Sequence, residues 1–297
     1  MLRPLISWGL PFVPKFIVGR VAKKYVAGAT VEEALACVDT LNQQGFAVTL
    51  ALLGEEVTQR DKATAAVEEY QQVLRALSER GADANVSIKL TLLGLKIDLD
   101  FCRESLREVL GAASEVGNFA RIDMEDHTCT DDTLRLYQES RQELGGHVGI
   151  VLQAYLKRTL SDIAELGEGI NARLCKGIYI EPRRIAWKDY ETVRLNFIHS
   201  LERLFEQGAY VGIATHDEYL VAAALGVIQR MGLAPDRYEF QTLLGVDEEM
   251  RDSLRDLGHR VRVYVPYGQD WYPYSVRRLR ENPQIAVYVM RAMLGRS

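Results

Sequence analysis

The segment VGIVLQAYL, residues 148–156, is a run of apolar and β-branched residues that becomes polar towards its end. Such a run is typical of a strand buried on both faces, as in a parallel sheet. Seven further segments share this character: FAVTLALLG (46–54), NVSIKLT (85–91), FARIDME (119–125), NARLCKGIY (171–179), AYVGIATHD (209–217), YEFQTLLG (238–245) and RVRVYVPYG (260–268). The sequence therefore predicts eight buried strands.

Segments with helical periodicity lie between these strands. The first, residues 31–41, has apolar residues three and four positions apart, and it is opened by Thr30, with Glu33 in capping-box spacing. This alternation predicts an α/β fold, a (β/α)8 TIM barrel, with a helical arm over residues 1–45. Residues 46–297 form the predicted barrel domain, including a C-terminal helix. A doubly wound open sheet is the alternative, but its expected Gly-rich phosphate loop (GxGxxG or GxxxxGK[ST]) is absent.

The composition is that of an ordinary soluble globular protein. The 297 residues are 47% hydrophobic and 26% charged, and the net charge of −5 argues against a general nucleic-acid binder. The four cysteines are widely spaced, as in a reduced cytosolic protein. No HExxH metal motif and no G-x-S-x-G nucleophile motif occurs, so metal catalysis and a triad hydrolase are disfavoured.

Two segments near the chain ends are candidates for membrane contact, namely the first 28 residues and the apolar stretch IAVYVMRAML (285–294). The first 28 residues are apolar and basic without an acidic residue, and the prolines among them fit a signal peptide poorly. An amphipathic arm packed on the barrel is the favoured interpretation, with contact to an anionic membrane as the alternative. No apolar run reaches the length of a spanning helix. We expect a cytoplasmic protein, with peripheral contact at the inner face of the cell membrane as an additional option.

Polar residues gather at the ends of the predicted strands, where a barrel places its active site. They are Lys89, Asp123, Glu125, Gln153, Tyr155, Arg173, Lys176, Tyr179, Thr215, His216, Gln241 and Tyr264. Ionisable groups in buried strands are costly unless they are paired or functional, so this set favours a cationic pocket for a small anion. A loop cap or a buried ion pair remains the alternative for each single residue. A Schiff-base lyase or aldolase using Lys89 or Lys176 also stays open.

The stretch WYPYSVRRLRE, residues 271–281, places two adjacent arginines beside an aromatic residue. In a helix, Tyr274 and Glu281 each share a face with Arg277 and Arg278. The pattern fits either a solvated helix face or an anion site, and spacing alone does not decide between them.

Eight motifs in a fixed order narrow these options. SIKLT (87–91), RIDME (121–125), LQAYL (152–156), RLCKGIY (173–179), ATHD (214–217), EFQTLLG (239–245), RVYVPYG (262–268) and YSVRR (274–278) resemble the flavin-dependent proline dehydrogenase family in its monofunctional bacterial form. The resemblance runs from about the first strand to beyond Arg278. It implies a distorted (β/α)8 barrel that holds FAD noncovalently.

The implied activity is the first step of proline catabolism to glutamate. The family oxidises L-proline to 1-pyrroline-5-carboxylate by hydride transfer to FAD, and it passes the electrons to a membrane quinone. Pyrroline-5-carboxylate dehydrogenase is then a candidate partner. Hydroxyproline dehydrogenase and a noncatalytic amino-acid-binding barrel are the further alternatives.

The resemblance also implies roles for individual residues. Asp123 and Arg173 would be catalytic, with Arg173 beside the hydride-accepting flavin nitrogen. Arg277, Arg278 and Lys89 would bind the proline carboxylate, for which guanidinium forks are suited. The proline ring would be enclosed by Tyr179, Leu243, Tyr264 and Tyr274. The cofactor would contact Met124, Gln153, Arg173, Lys176, Gly177, Ile178, Thr215, His216 and Glu281.

Three positions depart from the usual family pattern, namely Cys175, Ile178 and Thr242. Ile178 stands beside the flavin motif, so it is expected to affect cofactor affinity or pocket width. Tyr264 stands at the position where the family's hydroxyproline-oxidising relatives tend to carry a smaller residue. The large side chain at this position favours proline as the substrate.

Overall fold

The computed structural model describes residues 24–272, and in it eight parallel strands close into a barrel in chain order. The strands are β1 (Ala47–Leu52), β2 (Ala84–Ile88), β3 (Ala120–Ile122), β4 (Val148–Gln153), β5 (Asn171–Cys175), β6 (Tyr210–Ala214), β7 (Tyr238–Leu243) and β8 (Val261–Tyr267). Closure comes from β1 and β8, which pair in parallel with Thr49 opposite Tyr264. The predicted barrel is confirmed.

Helices alternate with the strands and cover the outside of the barrel. They are α1 (Val31–Gln43), α2 (Arg60–Glu79), α3 (Leu99–Glu115), α4 (Thr130–Leu144), α5 (Thr159–Leu166), α6 (Tyr190–Glu206), α7 (Glu218–Met231) and α8 (Glu248–Asp256). Their buried apolar residues join those of the strands in one hydrophobic core. This layer between sheet and helices contains most of the apolar residues that define the predicted strands.

Helix α1 begins as predicted from its capping box. The Thr30 hydroxyl accepts a hydrogen bond from the Glu33 main-chain nitrogen at 3.3 Å, and the Glu33 carboxylate accepts one from the Thr30 nitrogen at 3.2 Å. The buried face of α1 belongs to the barrel core. The division into an arm over residues 1–45 and a barrel from residue 46 stays a prediction, because much of the arm lies outside the described residues.

The strands end earlier than the sequence predicts. The third strand stops at Ile122 and the fifth at Cys175, three and four residues before the predicted ends. Asp123 and Lys176 therefore lie in the loops that follow, where their polar groups have room to meet one another. Both residues therefore lie at the carboxyl end of the barrel.

The interior of the barrel is ionic, which the continuous apolar runs do not predict. Arg121 on β3, Glu239 on β7 and Arg262 on β8 are all buried. Arg173 on β5 contacts Gln241 on β7, two strands away, so both side chains point into the barrel. Apolar residues thus cover the outer face of the sheet, while charged side chains fill much of its centre.

Among the helices between residues 24 and 272, none combines the length and the apolar character that a bilayer crossing requires.

Candidate active site

Asp123 is the centre of a hydrogen-bonded cluster at the carboxyl end of the barrel. Its Oδ1 accepts hydrogen bonds from the Ser87 hydroxyl at 2.6 Å and from Arg173 Nη1 at 2.8 Å. Its Oδ2 accepts one from the Tyr264 hydroxyl at 3.0 Å. The carboxylate therefore joins β2, β5 and β8 to the loop after β3.

Arg173 is the buried cation of this cluster, with only 5% of its surface exposed. Its Nε donates to Gln241 Oε1 at 2.5 Å, and Nη1 also donates to the Ser87 hydroxyl at 3.2 Å. The guanidinium lies 5.1 Å from the centre of the Tyr264 ring. Nη2 is buried, and no group within residues 24–272 accepts its hydrogen bonds. The arginine is thus anchored on one side and has donors for a ligand on the other.

Lys89 follows β2 and is half-buried at the same end of the barrel. Burial raises the pKa of two neighbouring residues, Glu125 and Tyr70. The positive charge of Lys89 acts in the opposite direction on both and offsets part of this rise. Thr91 donates to the Glu125 carboxylate through both its amide and its hydroxyl. In the described part of the chain Lys89 and Asp123 form no ion pair, so Asp123 organises Arg173 and Tyr264 there, and Lys89 interacts with a different carboxylate.

Lys176 is held by an acidic residue that the motif analysis did not select. Its Nζ lies 3.0 Å from Asp217 Oδ2, and Asp217 also accepts from the Tyr190 hydroxyl at 2.6 Å and from Arg194 Nη2 at 2.7 Å. Burial alone raises the pKa of Asp217, but the hydrogen bonds from Arg194, Tyr190 and Lys176 hold it well below its usual range. Lys176 therefore has an ionised carboxylate as its partner.

Gly177 forms a main-chain corner that only glycine fits. Its φ angle is +108°, and a Cβ atom there would lie 2.3 Å from the Tyr155 ring. The corner turns the chain from β5 into the loop that carries Ile178 and Tyr179. Ile178 is exposed and Tyr179 is half-buried.

The other predicted cofactor residues line the same end of the barrel. Gln153 ends β4 and donates from Nε2 to the Glu125 carbonyl at 2.8 Å. Met124 is buried in the loop after β3. Thr215 follows β6 and accepts a hydrogen bond from the Asp217 amide at 3.1 Å. These contacts hold the loops after β3, β4 and β6 in place.

His216 joins the loop after β6 to the end of β7. Its Nε2 accepts a hydrogen bond from the Leu243 amide at 3.0 Å. Leu243 itself is half-buried at the last position of β7. The two predicted residues are therefore neighbours, although one was assigned to the cofactor and the other to the substrate.

Four predicted residues, namely Tyr274, Arg277, Arg278 and Glu281, lie outside the described residues. Their roles stay predictions.

Several residues of the site were missed by the sequence analysis. In the predicted strand NVSIKLT, Ser87 stands two residues before Lys89, and this period of two places both side chains on one face. Asp217 ends the ATHD motif and precedes α7, where an acidic residue is an ordinary helix cap. Tyr190 and Arg194 lie one helical turn apart near the start of α6 and carry no motif signal.

Between residues 24 and 272, the structure contains no group of three or more His, Cys, Asp or Glu side chains that could hold a metal ion.

The fold is similar to that of solved proline utilization A (PutA) proteins. The protein from Bdellovibrio bacteriovorus inactivated by N-propargylglycine has a TM-score of 0.82 and 24% identity, over 88% of this chain and 32% of that chain. A mutant of the Bradyrhizobium japonicum protein has a TM-score of 0.76 and 20% identity, over 89% of this chain and 31% of that chain. The chain thus spans about a third of their length, and the likeness concerns the fold.

The family is shown by relatives that this chain matches over nearly their whole length. The chain is 37% identical over 279 residues to the proline dehydrogenase of Deinococcus radiodurans, covering 92% of this chain and 90% of that protein. It is 34% identical over 274 residues to proline dehydrogenase 1 of Bacillus subtilis (strain 168), with the same coverage. A family model described as proline dehydrogenase matches residues 34–291. Since this match includes all eight strands and the Asp123 cluster, the chain belongs to the proline dehydrogenase family.

Proposed function

We propose that the chain oxidises L-proline to 1-pyrroline-5-carboxylate, with noncovalent FAD as the hydride acceptor and a quinone as the final electron acceptor. The observation that carries the proposal is the Asp123–Arg173–Tyr264 cluster, in which a buried guanidinium keeps donors available at the carboxyl end of the barrel. Membership of the proline dehydrogenase family supplies the substrate class.

The residues fit a flavin in two respects. A flavin presents hydrogen-bond acceptors. Nη2 of Arg173 is a buried donor without a partner, and a flavin acceptor would satisfy it. The glycine at position 177 packs the main chain against the Tyr155 ring, which fixes the course of the loop that carries Lys176 and Ile178. The residues that would hold the cofactor are Met124, Gln153, Arg173, Lys176, Gly177, Ile178, Thr215, His216 and Glu281.

When bound, FAD supplies the two-electron acceptor, and its reduction adds negative charge. Arg173 and Lys176 are fixed cations that would stabilise that charge without reorganising. Asp123 holds the Arg173 guanidinium and the Tyr264 hydroxyl in place, which fixes their orientation before any ligand binds.

The substrate would be positioned by its two ends. Arg277, Arg278 and Lys89 would bind the carboxylate, and Tyr179, Leu243, Tyr264 and Tyr274 would enclose the ring. Fixing the carboxylate would orient the ring carbon that is bonded to the nitrogen, so that this carbon can lose a hydride. The lone pair of the deprotonated amine would then form the C=N bond. Positioning of this kind contributes much of an enzymatic rate.

A Schiff-base mechanism is disfavoured for Lys176. Imine formation needs a neutral amine, whereas Lys176 is paired with the Asp217 carboxylate at 3.0 Å. Borohydride trapping of a covalent substrate adduct would reverse this conclusion.

Electron transfer to a quinone implies contact with a membrane, and we propose two kinds of surface for it. The N-terminal arm and the stretch IAVYVMRAML (285–294) were predicted for this role, and both lie outside the described residues. Within the described residues, the loop between β5 and α6, residues 176–189, exposes Ile180 fully and Trp187 partly. Exposed apolar side chains beside basic ones are typical of a surface that binds anionic lipid.

Coupling to pyrroline-5-carboxylate dehydrogenase also stays a proposal. The chain is 26% identical over 333 residues to the bifunctional protein PutA of Escherichia coli (strain K12), covering 97% of this chain and 25% of that protein. In this proposal, a separate enzyme oxidises the 1-pyrroline-5-carboxylate that the chain releases. Co-purification and a shortened lag in product formation would test this.

The decisive experiment is an absorbance spectrum of the purified chain before and after L-proline is added without oxygen. We expect flavin bands that bleach with L-proline and persist with D-proline or glutamate. A protein that stays colourless after incubation with FAD would refute the proposed cofactor. Flavin bands that L-proline leaves unchanged would refute the proposed substrate.

A further inference from the structure

Gln241 connects the active-site arginine to a second buried charge. Its Oε1 accepts a hydrogen bond from Arg173 Nε at 2.5 Å, and its Nε2 donates to Glu239 Oε1 at 2.6 Å. An arginine only donates and an ionised carboxylate only accepts, so a single orientation of the amide satisfies both neighbours. The carbonyl of Gln241 must therefore face Arg173.

Glu239 remains an acceptor because three arginines, namely Arg121, Arg260 and Arg262, surround it and keep it charged. Its Oε1 also accepts from Arg262 Nε at 2.7 Å, and Arg262 is anchored in turn by the Val48 carbonyl at 2.7 Å. Burial alone raises the pKa of Glu239, but Arg262 and Arg121, together with the Gln241 hydrogen bond, lower it to about 2. The carboxylate that orients Gln241 is thus ionised at any physiological pH.

The neighbouring strand provides the space for this amide. Gly212 on β6 has no side chain, and a Cβ atom there would lie 2.4 Å from Gln241 Nε2 and 2.8 Å from its Cδ. Glycine is costly in the middle of a strand, and its presence often marks a close approach by another group. Here that group is the Gln241 amide.

Contacts at two of its nitrogens determine how the Arg173 guanidinium lies. Gln241 holds Nε, while Asp123 and Ser87 hold Nη1. Contacts at two nitrogens fix the plane of the group, and Nη2 then points in one direction. If the contact at Nε is lost, the plane can rotate about the remaining contact at Nη1.

We propose that Gln241, oriented by Glu239 and accommodated by Gly212, is a positioning residue that sets the direction of the free Arg173 donors. This inference rests on the proposed function, in which those donors serve the flavin. It predicts that a change at Gln241 alters the properties of the bound flavin through Arg173, with little effect on proline binding.

The test uses the full FAD-loaded chain with Gln241→Met, which keeps the side-chain length and removes the amide. We expect reduction of the bound flavin to become about tenfold less favourable, a midpoint potential about 30 mV more negative for a two-electron couple. We also expect kcat to fall about tenfold while KM for L-proline changes by less than about twofold. Gly212→Ala should shift the potential in the same direction, because it displaces the amide without removing a polar atom.

Thr49→Val is the matched control. It removes another buried hydrogen bond of the barrel interior, from Thr49 to Asn85 at 2.6 Å, that does not contact Arg173. We expect it to lower the urea midpoint of unfolding without changing the flavin potential. In an Arg173→Lys background, Gln241→Met should give no further shift of the potential, because the route from Gln241 to the flavin is already lost.

Each outcome has one meaning. If Gln241→Met lowers the urea midpoint of unfolding but leaves potential and kcat unchanged, Gln241 is only structural and the inference is wrong. If it shifts the potential equally in the Arg173→Lys background, Gln241 acts directly and not by positioning. Failure of the wild-type chain to bind flavin or to be reduced by L-proline would instead refute the proposed function.

Discussion

Asp123 shows how one side chain can combine stability and chemistry. Its two oxygens accept hydrogen bonds from Ser87, Arg173 and Tyr264, which come from three different strands. A carboxylate is suited to this position because it accepts without donating. The same contacts that hold the strand ends together also present Arg173 and Tyr264 to a ligand.

We predict that Asp123→Asn lowers kcat/KM for L-proline about 100-fold, within the range found when a single electrostatic contact in an active site is lost. The asparagine amide puts an NH2 group in place of one carboxylate oxygen, and this group would face the donors of Arg173 and Ser87 or of Tyr264. Dye-linked turnover with L-proline measures the effect. Asp162→Asn is the matched control, since Asp162 is a buried carboxylate paired with Arg158 at 2.8 Å in α5. Equal losses in both variants would show that Asp123 acts only through stability.

Gly177 is the second position where one residue type is required. We predict that Gly177→Ala lowers FAD affinity at least tenfold, because the left-handed corner and the Tyr155 ring both exclude a methyl group. Equilibrium dialysis of FAD against the two proteins measures this. Gly226→Ala in α7 is the control, since a Cβ atom there meets nothing within 4 Å. That variant should gain up to about 1 kcal/mol of stability and keep its FAD affinity.

At the scale of elements, Asp217 joins the loop after β5, helix α6 and the start of α7. Its partners are Lys176, Tyr190 and Arg194, and Arg194 also lies 4.3 Å from the centre of the Tyr190 ring. No one of these segments alone determines where the loop lies. The buried carboxylate sets the position of all three.

We predict that Asp217→Asn lowers the free energy of unfolding by about 3 kcal/mol at neutral pH, because two cations lose their partner. The folded pKa of Asp217 is held below the unfolded value near 3.9, so the contribution is present above about pH 4 and declines as the pH falls further. Urea unfolding between pH 7 and pH 3 should therefore show that the difference in free energy of unfolding between wild type and variant becomes smaller as the pH falls.

Asp39→Asn provides the comparison for Asp217. Asp39 pairs with Arg80 at 2.7 Å, but both side chains are exposed, so its loss should cost less than about 1 kcal/mol. A gap for Asp217→Asn that stays constant down to pH 3 would contradict the low folded pKa.

At the scale of the whole molecule, one loop at the carboxyl end of the barrel is both apolar and positively charged. The β5–α6 loop at the carboxyl end exposes Ile180 and Trp187, and the Lys157 amine lies 4.8 Å from the Trp187 ring centre. Arg183, Arg184 and Lys188 are exposed in the same loop, and within residues 24–272 none of them forms an ion pair. This positive, apolar surface belongs to a chain with a net charge of −5.

We predict that the chain sediments with vesicles containing an anionic phospholipid at low salt, and much less with neutral vesicles or at high salt. Arg183→Gln and Arg184→Gln should each weaken binding about fivefold, since a basic residue near an anionic surface contributes about 1 kcal/mol. Ile180→Ser should weaken binding without altering its salt dependence.

Leu257→Ser is the matched control for the loop. Leu257 is 69% exposed and follows α8, at the opposite end of the barrel from the loop. It should leave vesicle binding unchanged. Normal binding by the loop variants would assign the membrane contact to another part of the chain.

Much of the architecture is predictable because it depends on local patterns. The eight apolar runs predict the strands, and Thr30 with Glu33 predicts the start of α1. Parallel strands place their carboxyl ends at one edge of the sheet. The polar residues towards the end of each run were therefore expected to meet there. The grouping of Asp123, Arg173 and Tyr264 follows from that rule.

The sequence by itself determined the barrel, the end that carries the chemistry and, through its motifs, the family. Only the tertiary structure decided which polar groups pair: Arg173 with Gln241 across the barrel, Glu239 with Arg262, and Lys176 with Asp217. The physical reason is that strand periodicity tells which face a side chain takes, whereas its partner depends on barrel closure and register. Those partners are separated by up to 68 positions along the chain, and no local pattern encodes their distance.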